Sequence, residues 1–417
     1  MQTKLSDYAR SLPRADQAES ILRSCVHCGF CNATCPTYQI LGDELDGPRG
    51  RIYLIMSLLE GADASEKTQQ HLDRCLTCRN CETTCPSGVE YHTLLDIGRQ
   101  EIEQRVRRPL LQRLLRRTLR LVLPRRRLFA GLLQIGQMVR PFMPLKLRSL
   151  IPAVRANSGK RPKPQHARRM LMLEGCVQPS LSPNTNAAAA RVLDRLGISV
   201  INTPTAGCCG AIEYHLNDPE AGLARARKNI DSWWPAIEAG AEAIIQTASG
   251  CGAFVKEYGQ LLSGDPHYAD RAKRVSSMTL DISEALQSES LDELQLRPLP
   301  KAAFHCPCTL QHAQRLGGQV EKLLIRLGMT LSFVPESHLC CGSAGTYSIT
   351  EPQLARTLRD NKIRALESSR PDIILTANMG CQTHLAGGTR TPVRHWIEII
   401  DEHMQNQGEP SEHQAHT

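Results

Sequence analysis

The stretches CVHCGFCNATCP (residues 25–36) and CLTCRNCETTCP (residues 75–86) share one pattern, C-x-x-C-x-x-C-x-x-x-C-P. Three thiols at steps of three residues, followed by a fourth one turn later, suit the corners of a cubane iron–sulfur cluster. Two complete copies of the pattern therefore predict two [4Fe-4S] clusters. The alternatives are a zinc site, for which two separated C-x-x-C pairs would be typical, and a disulfide framework.

The order of the cysteines predicts that the two ligand sets are crossed. In two-cluster proteins of this type, the fourth cysteine of one motif ligates the cluster that the other motif holds. The ligands of the first cluster would then be Cys25, Cys28, Cys31 and Cys85. The ligands of the second cluster would be Cys75, Cys78, Cys81 and Cys35.

The rest of the composition predicts a reduced, cytoplasmic protein. The chain has 417 residues, of which 41% are apolar, and this length allows two or three domains. Its opening residues lack the apolar core of a secretory signal, and no run approaches the roughly 18 apolar residues of a spanning helix. Without such a run we expect a chain that does not cross a membrane. Thiols that hold iron belong in a compartment where disulfides are rare, so we also expect the cytoplasm.

Residues 105–165 form a basic segment. Between Glu103 and Glu174 there is no Asp or Glu but there are 19 Lys and Arg, whereas the net charge of the whole chain is only +8. From residue 110 to residue 123, leucines alternate with arginines at helical spacing. Pro124, Pro141 and Pro144 are expected to divide the segment into short helices. Residues 155–165 are expected to form a linker.

The basic segment has three interpretations. It lies on anionic lipid as a peripheral membrane contact, it docks an acidic partner, or it is a solvated arginine face over a core helix. Nucleic acid is not an expected partner, because no aromatic side chain lies among the arginines between Arg105 and Arg127. The arginines expected to contact lipid are Arg113, Arg116, Arg117, Arg120, Arg125, Arg126 and Arg127.

The remainder of the chain repeats itself. Cys176 aligns with Cys308 at an offset of 132, the triplet Cys-Cys-Gly at 208–210 aligns with 340–342 at the same offset, and Cys251 aligns with Cys381 at 130. This repetition predicts two copies of one module, here called the first and second CCG modules. Alternating strands and helices predict a parallel α/β sheet in each. The predicted strands are residues 170–173, 198–202 and 243–247, and residues 302–305, 330–334 and 373–376.

The cysteines of both modules follow predicted strands, at the sheet edge where α/β proteins bind ligands. Gly210 and Gly342 would let the backbone take a positive φ or pass close to a bulky group. The alternative is that these thiols are buried small hydrophobes. Four aligned cysteines in each of two copies favour an additional metal or redox role. The candidates are Cys176, Cys208, Cys209, Cys251, Cys308, Cys340, Cys341 and Cys381.

The order of doubled motif, basic segment and two CCG modules, with GPRGRI at residues 47–52, resembles the family that includes the iron–sulfur subunit of glycolate oxidase. Relatives are the third subunit of anaerobic glycerol-3-phosphate dehydrogenase, lactate-utilisation proteins and cysteine-rich subunits of heterodisulfide reductase. Residues 308–312, 337–347 and 391–397 look specifically like the glycolate oxidase subunit.

This resemblance implies an α+β multidomain chain. A helical ferredoxin-type domain with both [4Fe-4S] clusters would occupy residues 1–104, and the basic segment with its linker residues 105–165. The first CCG module would span residues 166–290 and the second residues 291–405, and residues 406–417 would be a polar tail.

The resemblance also implies an electron-transfer subunit. Electrons from FAD on FAD-binding glycolate oxidase subunits would pass through this chain to a membrane quinone or similar acceptor, as glycolate, or D-lactate, is oxidised. The catalytic flavin site would lie on the partner, because this chain has neither G-x-G-x-x-G nor G-x-x-x-x-G-K-[ST]. The alternatives are an electron-transfer subunit of anaerobic glycerol-3-phosphate dehydrogenase and a heterodisulfide-reductase-like subunit with its own catalytic CCG cluster.

Two positions depart from the wider family. Heterodisulfide-reductase-like members continue the last cysteine of each module into a C-x-x-C pair, but here those positions are Phe254 and His384. Phe254 cannot ligate metal, so a complete cluster in the first module is not expected. The histidines that can ligate are His305, His312, His338 and His384, and Cys306 has no counterpart in the first module.

Overall fold

The structure is a computed structural model that describes residues 2–144, 148, 151–154 and 158–405. The predicted tail at residues 406–417 and residues 155–157 of the predicted linker lie outside the described residues. Residues 158–165 of the predicted linker contain no helix or strand.

The N-terminal domain is helical, as predicted. Its core is made of fully buried side chains such as Leu22, Ile55 and Leu94. Pro36, the last residue of the first motif, opens a helix at a position where a missing N–H costs no hydrogen bond. The helices are Asp7–Arg10, Ala15–Ser24, Phe30–Ala33, Pro36–Leu41, Pro48–Glu60, Glu66–Asp73, Asn80–Thr84 and Tyr91–Arg105, with a 3₁₀ turn at Glu44–Asp46.

A buried ion pair connects the segment between the two motifs to the residues just before the second motif. Arg51 is completely buried, and its guanidinium lies 3.4 Å from the Asp46 carboxylate. The same carboxylate lies 2.8 Å from Arg74 and 3.0 Å from His71. Because Arg74 immediately precedes Cys75, this charge cluster fixes the approach of the second motif to the first.

The basic segment folds into two helices, Leu110–Val122 and Arg126–Val139, followed by a 3₁₀ turn at Arg140–Phe142. We call the two helices the basic helix pair. Pro124 lies between them, as predicted. Their outward face is largely apolar, and its exposed side chains include Leu110, Leu111, Leu114, Leu121, Leu132, Ile135 and Met138.

Two arginines of the basic helix pair point inward. The guanidinium of Arg116 lies 3.1 Å from the carboxylate of Asp73 in the N-terminal domain. The guanidinium of Arg120 lies 3.1 Å from the carboxylate of Asp218 in the first CCG module. The sequence placed both among the lipid-facing arginines, and this prediction was wrong, because each one neutralises a carboxylate on the surface against which the pair packs. The basic helix pair is therefore attached to two domains at once.

Each CCG module contains a parallel sheet, as predicted. The first sheet has the order β2-β1-β3-β4, with β1 (Arg168–Met172), β2 (Ile198–Ile201), β3 (Ile244–Gln246) and β4 (Thr279–Asp281). The second sheet has the order β5-β6-β7, with β5 (Ala302–His305), β6 (Ile373–Thr376) and β7 (Val393–His395). The strands β4 and β7 were not predicted.

The helices around these sheets differ in detail between the modules. In the first module they are Gln178–Leu181, Pro183–Arg195, Ala211–His215, Pro219–Glu238, Ser249–Lys256, Tyr258–Leu261, Ala269–Met278 and Ile282–Gln287. In the second they are Gln319–Arg326, Tyr347–Thr350, Pro352–Glu367, Met379–Ala386 and Trp396–His403, with a 3₁₀ turn at Leu291–Leu294 and a π-helical turn at Thr309–Ala313.

The strand predicted at residues 330–334 does not form. A single bridge joins Leu331 to Ala302, and the hydrogen bonding of this segment to β5 stops there. Phe333 is 78% exposed, so the segment buries too little apolar surface to extend the sheet edge.

The two CCG modules share a hydrophobic core. Val192 and Leu193 of the first module belong to the same buried cluster as Trp396 and Ile400 of the second. The boundary near residue 290 therefore separates two repeats in sequence, while their side chains pack as one body.

We expect Asp46→Ala to destabilise the N-terminal domain by about 3–5 kcal/mol, because it leaves the buried Arg51 without its carboxylate. The measurement is urea unfolding followed by loss of cluster absorbance. Glu19→Gln is the control, since it removes only the partially exposed pair with Arg23, which is worth about 0.3–0.5 kcal/mol. Equal effects of the two substitutions would contradict the role given to Asp46.

Candidate metal centres

Four thiols from both motifs converge on one cavity of the N-terminal domain. It is lined by Cys25, Cys28, Cys31 and Cys85, together with apolar side chains such as Ile52. Cys25 and Cys31 both interact electrostatically with Cys85, which belongs to the other motif. Burial, and then the charge of Cys25, raises the pKa of Cys31 to about 11. A thiolate at Cys31 therefore needs a nearby cation to persist, and an all-sulfur donor set fits an iron–sulfur cluster.

The other four thiols form a neighbouring group. Cys81 interacts electrostatically with Cys75, Cys78 and Cys35. Burial raises the pKa of both Cys78 and Cys81 well above the usual range. Because Cys81 also lines the first cavity, the two groups are adjacent. The backbone N–H of Thr77 lies 3.4 Å from the Cys75 sulfur, to which it donates a hydrogen bond.

The two motifs have matching backbone conformations. His27 and Thr77, one residue before the second cysteine of each motif, have φ values of 55° and 52°. Gly29 and Arg79, one residue after it, have φ values of 84° and 61°. Left-handed backbone on both sides of a cysteine curls the loop tightly. This curl is the local reason why thiols three residues apart point to one centre.

In the first CCG module, Cys176, Cys208, Cys209 and Cys251 form a hydrogen-bonded group. The hydrogen bonds from Cys176 and Cys209 hold the pKa of the buried Cys208 thiol well below its usual range. Burial, and then the Cys208 charge, raises the pKa of the nearby Glu213 carboxyl to about 7. A thiol with a lowered pKa beside a carboxyl with a raised pKa is typical of a site that binds a cation or transfers charge.

The second CCG module gathers the equivalent thiols. The sulfurs of Cys308 and Cys340 lie 3.9 Å apart, and the hydrogen bonding continues through Cys341 to Cys381. The hydrogen bond with Cys340, and then burial, raises the pKa of the Cys308 thiol well above its usual range. Four thiols, of which three are buried and one is partly exposed, thus gather in each repeat, although their metal or redox role stays a prediction.

The glycines of the two CCG loops take the predicted conformation. Gly210 has φ 100° and Gly342 has φ 85°. A Cβ at either position would lie within 2.6 Å of the carbonyl oxygen of Gly222 or Ala355, respectively. Both loops therefore pack directly against the following long helix, which fixes the paired cysteines beside it.

The histidines of the second module divide into two kinds. The Nδ1 atom of His312 lies 2.9 Å from Thr83 Oγ1, and its Nε2 atom lies 3.0 Å from the carbonyl oxygen of His338. The Nε2 atom of His384 lies 3.1 Å from the carbonyl oxygen of Ala355. These side chains are engaged in structural hydrogen bonds. In contrast, both ring nitrogens of His305 are buried without a hydrogen-bond partner among the described residues.

The structure accounts for the two other sequence departures. Phe254 is buried in an aromatic cluster with Tyr214, His215 and Tyr258. Its side chain therefore stabilises the core at the position where the wider family has a cysteine. Cys306 is buried in the shared hydrophobic core of the two modules. It therefore acts as a small apolar side chain, an explanation that needed the tertiary structure.

The N-terminal domain and both CCG modules meet around a cavity of about 280 Å³. Asn80 donates to the carbonyl oxygen of His338, and the Tyr347 hydroxyl donates to that of Arg74. Cys78 and Cys340 belong to one small apolar cluster. The cysteines that line the cavity are Cys75, Cys176, Cys209, Cys251, Cys308, Cys340 and Cys381. The second motif is therefore in direct contact with the thiols of the CCG modules.

The fold and these thiol groups define an iron–sulfur protein that joins a helical two-cluster domain to paired cysteine-rich modules. A 4Fe-4S dicluster domain family matches residues 21–89, and a family described as cysteine-rich domain matches residues 170–256 and 302–386.

The chain is 65% identical over 407 residues to the glycolate oxidase iron-sulfur subunit of Escherichia coli (strain K12), an alignment that covers 98% of this chain and 100% of that protein. It is 30% identical over 398 residues to the probable glycolate oxidase iron-sulfur subunit of Bacillus subtilis (strain 168), with 88% of each covered. It is also 27% identical over 236 residues to lactate utilization protein A of Geobacillus thermodenitrificans, covering 54% of this chain and 95% of that protein. The chain belongs to the family of glycolate oxidase iron-sulfur subunits.

Among solved structures, a hypothetical protein from Helicobacter pylori is similar in fold, with a TM-score of 0.51 and 12% sequence identity. The similarity covers 97% of this chain and 75% of that chain. Over the residues that the structure describes, no helix is both long enough and apolar enough to cross a membrane.

The crossed ligand sets make a direct prediction. We expect Cys25→Ser and Cys85→Ser to abolish the same cluster signal in EPR of the reduced protein, because their thiols share one cavity, while Cys75→Ser abolishes the other. If Cys85→Ser removed the signal that Cys75→Ser removes and spared the one that depends on Cys25, the crossed assignment would be wrong.

We expect Cys208→Ala and Cys341→Ala to retain about eight iron atoms per chain, as two [4Fe-4S] clusters require, yet to lower electron transfer through the assembled complex severalfold. Their thiols lie outside both groups of the N-terminal domain. The measurements are iron analysis and substrate-dependent dye reduction. Loss of nearly all iron from either variant would show that the CCG modules and the clusters depend on each other for folding.

Proposed function

We propose that this chain is the electron-transfer subunit of a glycolate oxidase complex, with the flavin site on an FAD-binding partner subunit. Electrons from glycolate, or from D-lactate as a second substrate, leave the partner's flavin, pass through this chain and reach a membrane quinone or similar acceptor. The 65% identity to the Escherichia coli glycolate oxidase subunit favours this assignment over the glycerol-3-phosphate alternative.

The observation that carries the proposal is the adjacency of the two four-thiol groups in the N-terminal domain. Cys25, Cys28, Cys31 and Cys85 would hold one [4Fe-4S] cluster, and Cys75, Cys78, Cys81 and Cys35 the other. Each cluster, when bound, accepts and releases one electron at a time. Two neighbouring clusters thus suit a partner that releases a pair of electrons.

The protein around the thiols controls where electrons enter and leave. Cys28 is exposed, so the first group lies near the surface, where a partner can approach. Cys78 is buried and shares an apolar cluster with Cys340, so the second group faces the CCG modules. We infer that electrons enter at the first group and leave through the second.

Cys78→Ser tests the relay in the purified complex. The variant should keep glycolate-dependent reduction of a dye that accepts electrons directly from flavin, because the partner's site is untouched, and should lose nearly all glycolate-dependent quinone reduction. Cys306→Ala is the control, since Cys306 lies in the apolar core shared by the two modules and belongs to neither four-thiol group of the N-terminal domain. Normal quinone reduction by a Cys78→Ser complex that lacks one cluster would overturn the proposal.

We further propose that the basic helix pair attaches the complex to the cytoplasmic face of a membrane. Leu110, Leu111 and Leu114 are 76%, 82% and 63% exposed, an apolar face that water disfavours. The exposed arginines on the pair that have no ion-pair partner among the described residues are Arg113, Arg117, Arg126 and Arg127. Apolar side chains flanked by unpaired cations suit the interface of anionic lipid.

We expect the complex to sediment with anionic vesicles at low ionic strength and to detach in high salt. Charge reversal of Arg113, Arg117 and Arg126 should weaken this binding by at least about 100-fold, since each basic side chain near the surface contributes about 1 kcal/mol and the new acidic side chains are repelled. Reversal of Arg274, Arg356 and Arg364, which are exposed on the CCG modules, is the matched control. If the complex ignored the vesicles while the chain bound its flavin subunit in a salt-sensitive way, the pair would be a subunit-docking surface instead.

A further inference from the structure

One cluster of ligand atoms in the second CCG module lies apart from both groups of the N-terminal domain. One ring nitrogen of His305 and the sulfurs of Cys341 and Cys381 lie within 4.8 Å of one another. All three side chains are buried, with exposures of 2%, 1% and 6%. No other Asp, Glu, His or Cys of the described residues joins this group at that spacing.

The imidazole of His305 indicates that the group has a ligand. Both of its ring nitrogens are buried without a hydrogen-bond partner among the described residues. A buried polar group without a partner is destabilising, and a metal ion would provide a partner for the lone pair of one of these nitrogens. The other histidines of this region do not share the feature, because His312 and His384 have hydrogen-bond partners.

The three residues come from elements that the sheet brings together. His305 is the last residue of β5, Cys341 lies in the CCG loop, and Cys381 lies in the helix that follows β6. His305 pairs in register with Thr376 at the end of β6. All three ligands therefore stand at the carboxyl edge of one parallel sheet, the usual position of a ligand site in such folds.

We propose that His305, Cys341 and Cys381 bind a single zinc ion. Zn–S distances of about 2.3 Å and Zn–N distances of about 2.0–2.1 Å place tetrahedral ligand atoms about 3.5–3.8 Å apart. Ligand atoms within 4.8 Å of one another would have to approach by at most about 1.0–1.3 Å to reach these distances. Three protein ligands leave the fourth tetrahedral position for water or another small ligand.

The first CCG module supplies an internal comparison. At the offset of 132, Leu173 aligns with His305 and Cys209 aligns with Cys341, while Cys251 aligns with Cys381 at the offset of 130. Leu173 is buried in an apolar cluster and has no ligand atom. The two repeats therefore differ in function at this position: the second binds zinc, and the first does not bind it in the same way.

The test is zinc analysis of the anaerobically purified full chain, with zinc-edge X-ray absorption. We expect one zinc per chain with one nitrogen and two sulfur ligands from the protein. His305→Leu, which copies the first module, should lower zinc occupancy at least tenfold without changing the iron content. His305→Cys, which keeps a ligand, should retain zinc and show three sulfur ligands.

His312→Gln and Cys209→Ala are the matched controls, and both should keep the zinc. Thermal unfolding of His305→Leu separates loss of the ion from loss of the fold, since the His305→Cys variant remains informative if His305→Leu fails to fold. Full zinc occupancy in His305→Leu would overturn the proposal. So would a wild-type chain without zinc in which Cys341→Ala, but not His305→Leu, removes iron beyond the two predicted clusters.

Discussion

The structure depends on a requirement that thiols distant in sequence meet at one centre. Cys85 lies with Cys25, Cys28 and Cys31 in a single cavity, so the second motif must fold back over the first. The helices between the motifs, Pro48–Glu60 and Glu66–Asp73, provide that return. The buried cluster of Asp46, Arg51 and Arg74 fixes it electrostatically, and a network of buried charges tolerates few alternative arrangements.

The same requirement places the second motif against the CCG modules. Because Cys78 is turned away from the surface and into the apolar cluster with Cys340, its group meets the thiols of the second repeat directly. The shared core of the two repeats then holds the two CCG modules together as one body beside the second motif.

The basic helix pair combines two roles that are usually separate. Its inner arginines neutralise Asp73 and Asp218 and so attach it to two domains. Its outer leucines remain exposed, although helices of this length normally bury such side chains. The pair is thus held rigidly while its apolar face is presented outward, which is the arrangement expected of a docking element.

The sequence alone established the two iron–sulfur motifs, the repeat of the CCG module, the α/β sheets and the glycines with positive φ. These features follow from the spacing of residue types along the chain, and that spacing can be read from the sequence without the structure. The family resemblance was confirmed by the 65% identity to the Escherichia coli glycolate oxidase subunit.

Only the tertiary structure decided which arginines face inward, why Cys306 is buried, that residues 330–334 leave the sheet, and that His305 joins Cys341 and Cys381. Each of these depends on what packs against a side chain from a distant part of the chain. The burial of a group, and hence its need for a partner, is set by that packing and has no signature in the neighbouring residues.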